Sequence, residues 1–265
     1  MFLDCVFEGG GIKGLSYVGA LRYLESRGYR IFRACGSSVG ALFASLIMVG
    51  YNSRELENII NNFDFNLIAS RQTMLSSFKN RGIYSINELE SVLDDLNSMK
   101  GKTKFRDLKF GEDYLLKVVV TDFKSKRPFI IPDDLKMIGI DPDEFKISKA
   151  VAMSSSIPFF YNAYKLKDHI FVDGGATMNF PIKLFNDSKN PIIGFRLNND
   201  RMDFIKNLQR KIFKMDDNQV INDVNIIYLK NDIKATQFKK GFSMKDEMYY
   251  EGYLKTKEYF DSLKN

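Results

Sequence analysis

Ser38 stands at the centre of Gly36-Ser37-Ser38-Val39-Gly40. A short apolar segment, Arg30 to Cys35, precedes it, and an apolar run of helical length, Ala41 to Gly50, follows it. A G-x-S-x-G motif between a strand and a helix has the spelling of a nucleophile elbow, a sharp turn that leaves one serine hydroxyl at its tip. The serine's backbone is strained in such a turn, and the flanking glycines let strand and helix approach closely. The following helix points its partly positive end at the serine oxygen, which favours an oxyanion there. A plain Gly/Ser turn shares the spelling, so the motif needs a base before it means chemistry.

The chain has one histidine, His169, four residues before Asp173 in an apparent strand. Two residues so spaced on one strand face lie ~13 Å apart, too far for a His–Asp pair within a triad. No histidine follows it, whereas the Ser, Asp, His order of α/β-hydrolases requires one near the end. If Ser38 is a nucleophile, its base is therefore a carboxylate. Asp173 is the best candidate, because it ends a strand, precedes Gly174-Gly175 and so occupies the carboxyl end of a sheet element. An aspartate that merely turns with glycine would look the same locally.

Gly9-Gly10-Gly11-Ile12-Lys13-Gly14 matches G-x-G-x-x-G. A dinucleotide site would need an acidic residue ~20 positions later, at the end of the second strand. Glu25 comes too early, Asp4 precedes the loop, and the second strand ends in the serine elbow. The better use of Gly9, Gly10 and Gly11 is an oxyanion hole, with backbone amides aimed at a carbonyl oxygen that is gaining charge. Lys13 would then attract a phosphate headgroup or simply stand in solvent.

These residues need an α/β scaffold, and the hydrophobic pattern supplies one. Phe2 to Phe7 reads as a strand, and Leu15, Val18, Leu21 and Leu24 recur at helical spacing until Gly28. Strand, glycine loop, helix, strand, elbow and helix predict parallel strands joined by crossovers. Helices are expected over Ser53 to Phe63 and after a Ser85–Glu88 capping box, then from Ile147 to Met153. Tyr114 to Thr121 is an apolar strand suited to the middle of a parallel sheet. Further strands are expected at Phe129 to Ile131, His169 to Val172, Pro191 to Leu197 and Val224 to Leu229. Asp203 to Met215 is amphipathic and basic on one face, which suits solvent or an anionic membrane. Ser243 and Asp246 cap a tyrosine-rich last helix. Residues 64–83 and 124–145 lack a clear period and are the candidate lids. With no repeat, low-complexity linker or boundary, residues 1–265 read as one domain.

The three motifs in this order, Gly9–Gly14, Gly36–Gly40 and Asp173-Gly174-Gly175, resemble the patatin-like phospholipase family. Lys149 to Phe160, Asn179-Phe180-Pro181 and Ile192 to Phe195 resemble it too, so the likeness covers about 1–197 and leaves 198–265 as an extension without specific likeness. The resemblance implies a three-layer fold with a mostly parallel central sheet flanked by helices. It implies a Ser38–Asp173 dyad, an acyl-serine intermediate and hydrolysis of lipid acyl esters of the phospholipase A or lysophospholipase type, without cofactor or metal. Lysine at position 13, where arginine is common, and Asp-Gly-Gly, where Asp-Gly-Ala is also common, are mild departures.

Composition narrows the setting. A formal charge of +6 and a pI near 9.0 favour an anionic partner. The chain has no nucleic-acid motif or dense Lys/Arg block, so a phospholipid surface is the better expectation. Its longest apolar run is far short of the ~20 residues of a membrane span. No secretory leader is visible, and Cys5 and Cys35 read as free thiols in a reducing compartment. A cytoplasmic or cytoplasm-delivered protein with peripheral membrane contact is expected. The rival from another class is an idle lipid-binding or storage protein of the same fold; a nucleotide-binding domain is a third.

Overall fold

The computed structural model describes residues 1–62, 86–157, 162–198, 225–230 and 232–263. The expected lid 64–83, the basic helix 203–215 and the cap at Ser85 fall outside these residues. In chain order the strands are β1 (Phe2–Phe7), β2 (Arg30–Ser37), β3 (Lys109–Phe110), β4 (Asp113–Tyr114) and β5 (Leu116–Asp122). They continue with β6 (Arg127–Ile131), β7 (Tyr164–Leu166), β8 (His169–Asp173), β9 (Ile192–Asn198) and β10 (Asn225–Lys230). The helices are α1 (Ser16–Ser26), α2 (Val39–Val49), α3 (Ser53–Asn62), α4 (Ile86–Met99), α5 (Ile147–Ser154), α6 (Phe238–Ser243) and α7 (Lys245–Ser262).

Glycine-punctuated βαβ units make β1 and β2 parallel neighbours, with Val6 opposite Cys35 and Phe7 opposite Gly36. The main sheet runs β10-β9-β1-β2-β5-β8-β7, with β6 also on β5, and β3 and β4 form a separate ribbon. It is parallel from β10 to β5 and antiparallel from there to β7. The apolar run of β5 therefore does not mark the middle of a parallel sheet. It marks the strand where direction changes, because burial on both faces demands apolar residues whichever way the neighbours run.

Side chains alternate between two cores. Leu3, Cys5 and Phe7 of β1 and Val118 and Val120 of β5 enter the large core shared with the helices, where Phe7 stacks on Phe195 at 5.3 Å. Val6 and Cys35 face the opposite way and pack with Phe180, Ile182 and Phe185. Burial pushes both cysteine thiols well above their usual range, and both are free. The result is a mixed α/β fold with a central sheet flanked by helices.

Two sequence expectations change. Residues 124–145 are not a flap. They hold β6, paired along β5 from Val118–Ile131 to Asp122–Arg127, and a 3-10 turn (Leu135–Ile138) whose Leu135 is fully buried. The last helix begins at Lys245 with no side-chain cap, and Ser243 instead ends the helix before it.

The C-terminal segment is built into the same core. β10 extends the sheet beside β9, and α7 lies across α1 so closely that each helix offers a glycine at the crossing. A β-carbon on Gly19 would lie 1.7 Å from Tyr249 O, and one on Gly252 would lie 1.9 Å from Ser16 O. Backbone is in the way in both cases, so the helices must separate to admit a side chain. Gly252→Val is expected to lower stability by about 3 kcal/mol, read as a fall in the denaturant midpoint.

Candidate functional site

The register of β5 places Ser38 and Asp173. Val118 and Val119 pair with β2 on one edge and with β6 on the other. Val120 to Asp122 pair with β6 and with β8, so β8 must use the β2 edge. There Ser37 stands opposite Val119 and Asp173 opposite Val120. β2 and β8 thus meet head to head, and the two chain ends, Ser38 and Asp173, turn away from the sheet at the same point.

Local contacts fix each end. Ser38 has φ 54° and ψ −126° and is the residue before α2, so the elbow holds a serine in a strained conformation costing about 1–3 kcal/mol. Its N–H donates to Ser154 Oγ at 2.9 Å, and that hydroxyl donates to Val119 O at 2.6 Å. The turn is possible only with glycines. A β-carbon on Gly36 would lie 2.3 Å from the Gly40 carbonyl carbon, and one on Gly40 would lie 2.2 Å from Phe7 O. Asp173 N–H donates to Ser156 O at 3.0 Å, Thr121 Oγ1 donates to Asp173 O at 2.9 Å, and Gly175 N–H donates to Asp173 Oδ1 at 2.7 Å. The end of α5 therefore anchors both residues, one through Ser154 and the other through Ser156.

The glycine loop follows β1 and lies beside the elbow, with the β-carbon position of Gly9 3.2 Å from Ser38 Cβ. Gly9 N–H donates to Asn179 O, and Asn179 Nδ2 donates back to Gly9 O, each at 3.0 Å. Gly9, expected among the oxyanion donors, is instead the fixed point of the loop, since its N–H is already committed. No described residue accepts from the N–H of Gly10 or of Gly11, and Gly11 and Ser38 line the same cavity. Lys13 is buried at 4% exposure and does not line that cavity, so it is not a solvated loop lysine. A headgroup contact by Lys13 has no geometric support.

His169 lies at the far end of β8, where its Nδ1 is 3.1 Å from Asp122 Oδ2. Burial alone would raise the Asp122 carboxyl, but hydrogen bonds from His169 and Lys124 N–H outweigh it and hold it below the usual range. Sequence reasoning missed Glu8, Ser154 and the role of Asn179. Glu8 is a buried carboxylate that accepts from Asn179 Nδ2 at 3.0 Å and Leu197 N–H at 2.6 Å, and so holds the loop from behind. A charged residue ending an apolar strand was the available signal for it. Among the described residues no group of three His, Cys, Asp or Glu side chains could hold a metal ion.

An apolar cavity of about 210 Å³ opens from Ser38. It runs along Leu42 and Leu46 of α2, between Leu56 and Ile60 of α3 and Leu89 and Leu93 of α4. Apart from Ser38 and Ser155, every described side chain lining it is apolar. Lys146 Nζ (2.8 Å) and Ser148 Oγ (3.0 Å) both reach Asp94 and tie α4 to α5. Residues 124–145 contribute nothing to the lining, and no described helix is long and apolar enough to cross a membrane.

A family model described as patatin-like phospholipase matches residues 5–186. The chain is 37% identical over 211 residues to the uncharacterised protein YqhO of Bacillus subtilis (strain 168), covering 74% of this chain and 72% of YqhO. It is 25% identical over 195 residues to the probable lipid hydrolase 463L of Invertebrate iridescent virus 6, covering 70% of this chain and 64% of the viral protein. Among solved structures, VipD from Legionella pneumophila superposes with a TM-score of 0.55 at 14% identity, over 98% of this chain and 66% of VipD. A chain of the heterodimeric ExoU–SpcU complex from the type III secretion system of Pseudomonas aeruginosa gives 0.57 at 16% identity, over 98% of this chain and 51% of that one. At such identities the structural likeness shows a shared fold alone.

The geometry predicts how Ser38 reacts with a fluorophosphonate. Ser38→Ala abolishes labelling, Asp173→Asn slows it about 100-fold or more through loss of a base, and His169→Gln leaves it unchanged. Labelling time courses on the three purified variants check this.

Proposed function

The chain belongs to the patatin-like phospholipase family, and from that premise we propose that it is a lipid acyl hydrolase working through an acyl-serine. The family and the viral relative named a probable lipid hydrolase support the lipid hydrolase class. One observation carries the finer reading: Ser38, held in a strained elbow beside Asp173, forms part of the wall of a cavity that is otherwise almost wholly apolar. Such a cavity suits a fatty-acyl chain, with the ester carbonyl at Ser38 and the chain along α2.

Asp173 takes the proton of Ser38 as Oγ bonds to the ester carbonyl carbon. The resulting oxyanion is held by the amides of Gly10 and Gly11, which have no acceptor among the described residues, and by the positive end of α2. Collapse breaks the bond to the alcohol, which takes the proton from Asp173 as it leaves, and Ser38 remains acylated. Water then attacks the acyl carbon and gives its proton to Asp173. The fatty acid departs, and Ser38 Oγ recovers the proton. Glu8 and Asn179 act behind the glycine loop, keeping its amides aimed.

The cavity also sets a length. Leu46 lies eight residues beyond Ser38, which is ~12 Å along an α-helix. At ~1.25 Å per methylene, that distance takes about ten carbons. Fatty-acid release from phospholipid vesicles, with a calcium chelator present, is expected for the wild type. It should fall about 10³-fold or more in Ser38→Ala and in Asp173→Asn. Release that persisted in both variants would remove the dyad from the mechanism. Among p-nitrophenyl esters of increasing chain length, Leu46→Trp should move the optimum to shorter chains, with kcat/KM for the longest ones falling about tenfold.

A further inference from the structure

Beyond Asp122 the β5–β6 turn and the start of β6 carry six consecutive exposed residues, Phe123 to Pro128. It is stitched to two other turns. Lys124 Nζ donates to Asp168 O at 2.6 Å in the β7–β8 turn. In that second turn Lys167 Nζ donates to Ile138 O and Gly139 O, both at 2.7 Å, at the end of the 3-10 turn Leu135–Ile138. Phe123 N–H donates to Ile170 O at 2.8 Å. The three turns form one rim.

The rim has a distinct chemistry. Lys124, Lys126, Arg127, Lys165 and Lys167 are all exposed, and none forms an ion pair among the described residues. Carbonyl partners fix two of the ammoniums without neutralising them. Of the nearby carboxylates Asp133 pairs with Lys117, Asp122 is buried against His169 and Asp134 is half-buried on Ile130 N–H. Apart from Asp133, then, Asp168 is the exposed one, and the five cations outnumber the three carboxylates that lack a cationic partner among the described residues. Two large apolar side chains stand out beside them, Phe123 at 46% and Met137 at 80% exposure.

Its position matters as much. β5 runs in the direction in which β2 runs toward Ser38, so the turn after Asp122 lies past the end of the sheet where Ser38 and Asp173 meet. Asp173 and His169 are four residues apart on β8, which puts the rim ~13 Å further out on the same side. From the rim's second hairpin Tyr164 OH donates to Glu90 Oε2 at 2.8 Å, and Glu90 sits on α4 beside the cavity-lining Leu89.

We propose that this three-turn rim is the surface on which the protein docks to an anionic lipid bilayer. The inference rests on the lipid-hydrolase reading for its choice of partner. Cations at headgroup level are attracted by anionic lipids, and Phe123 and Met137 enter the boundary between headgroups and acyl chains. Docking there turns the Ser38 end of the sheet, with the α4 wall of the cavity, toward the layer that holds the esters.

Flotation of the full chain carrying Ser38→Ala, which cannot digest the lipid, tests the surface. The vesicles are phosphatidylcholine alone or phosphatidylcholine with phosphatidylserine. Binding is expected only with phosphatidylserine and should weaken as salt is added. At about fivefold per cation, Lys124→Ser, Lys126→Asn and Arg127→Ser together should weaken it about 100-fold. Lys165→Glu on the other hairpin should weaken it independently. In the active chain the same rim changes should leave hydrolysis of water-soluble p-nitrophenyl butyrate within twofold, which also shows that the variants fold. Rim variants that float like the wild type overturn the proposal. So does wild-type binding that ignores phosphatidylserine, or retention on a nucleic acid or heparin with no vesicle binding. Rim-dependent flotation by a protein that hydrolyses no ester upholds the surface and sinks the hydrolase reading instead.

Discussion

Two strands that arrive from opposite directions share one edge of β5, and the site depends on this. β2 occupies that edge as far as Ser37, and β8 takes it over from Val120. A strand edge carries one row of backbone donors and acceptors, so two strands on the same row must stop where they meet. Ser38 and Asp173 sit at those two stops. Their proximity comes from backbone hydrogen bonding along β5, whose residues Val118 to Val120 are fully buried.

The other parts of the site hang on the same frame. Ser154 links the elbow to the Val119 carbonyl, and Ser156 links Asp173 to the same helix end. The glycine loop is set by the neighbouring β1, whose end aligns with Gly36, and by Asn179, which holds Gly9 from both sides. The apolar cavity lies off the sheet, between α2, α3 and α4. The polar contacts around Ser38 and the apolar cavity meet at that residue, so the two are built by different elements.

Most of the fold was legible in the sequence because glycine punctuation and hydrophobic period mark β1, α1, β2 and α2 without ambiguity. The elbow, the lone histidine and the Asp-Gly-Gly turn directed attention to Ser38 and Asp173, and His169 does lie away from them, on Asp122. What escaped was tertiary. The direction of β5's neighbours leaves no trace in a strand buried on both faces. The fixing of Gly9 by Asn179 joins residues far apart in sequence, and nothing in a glycine run tells which amide is already engaged. Residues 124–145 looked aperiodic because short strand and 3-10 turn follow each other too quickly for a period to emerge, although Phe129, Ile131, Leu135 and Phe145 anchor them in the core.

The crossing of α1 and α7 has a consequence for how the chain is made. α1 is synthesised first, but Gly19 and its neighbours are shielded only when the helix carrying Gly252 arrives. Until then the nascent protein shows an apolar helix face with no cover, and the sheet lacks β10. Native closure must therefore wait for nearly all of these residues to leave the ribosome, a late and high-contact-order event that local helix formation cannot hasten.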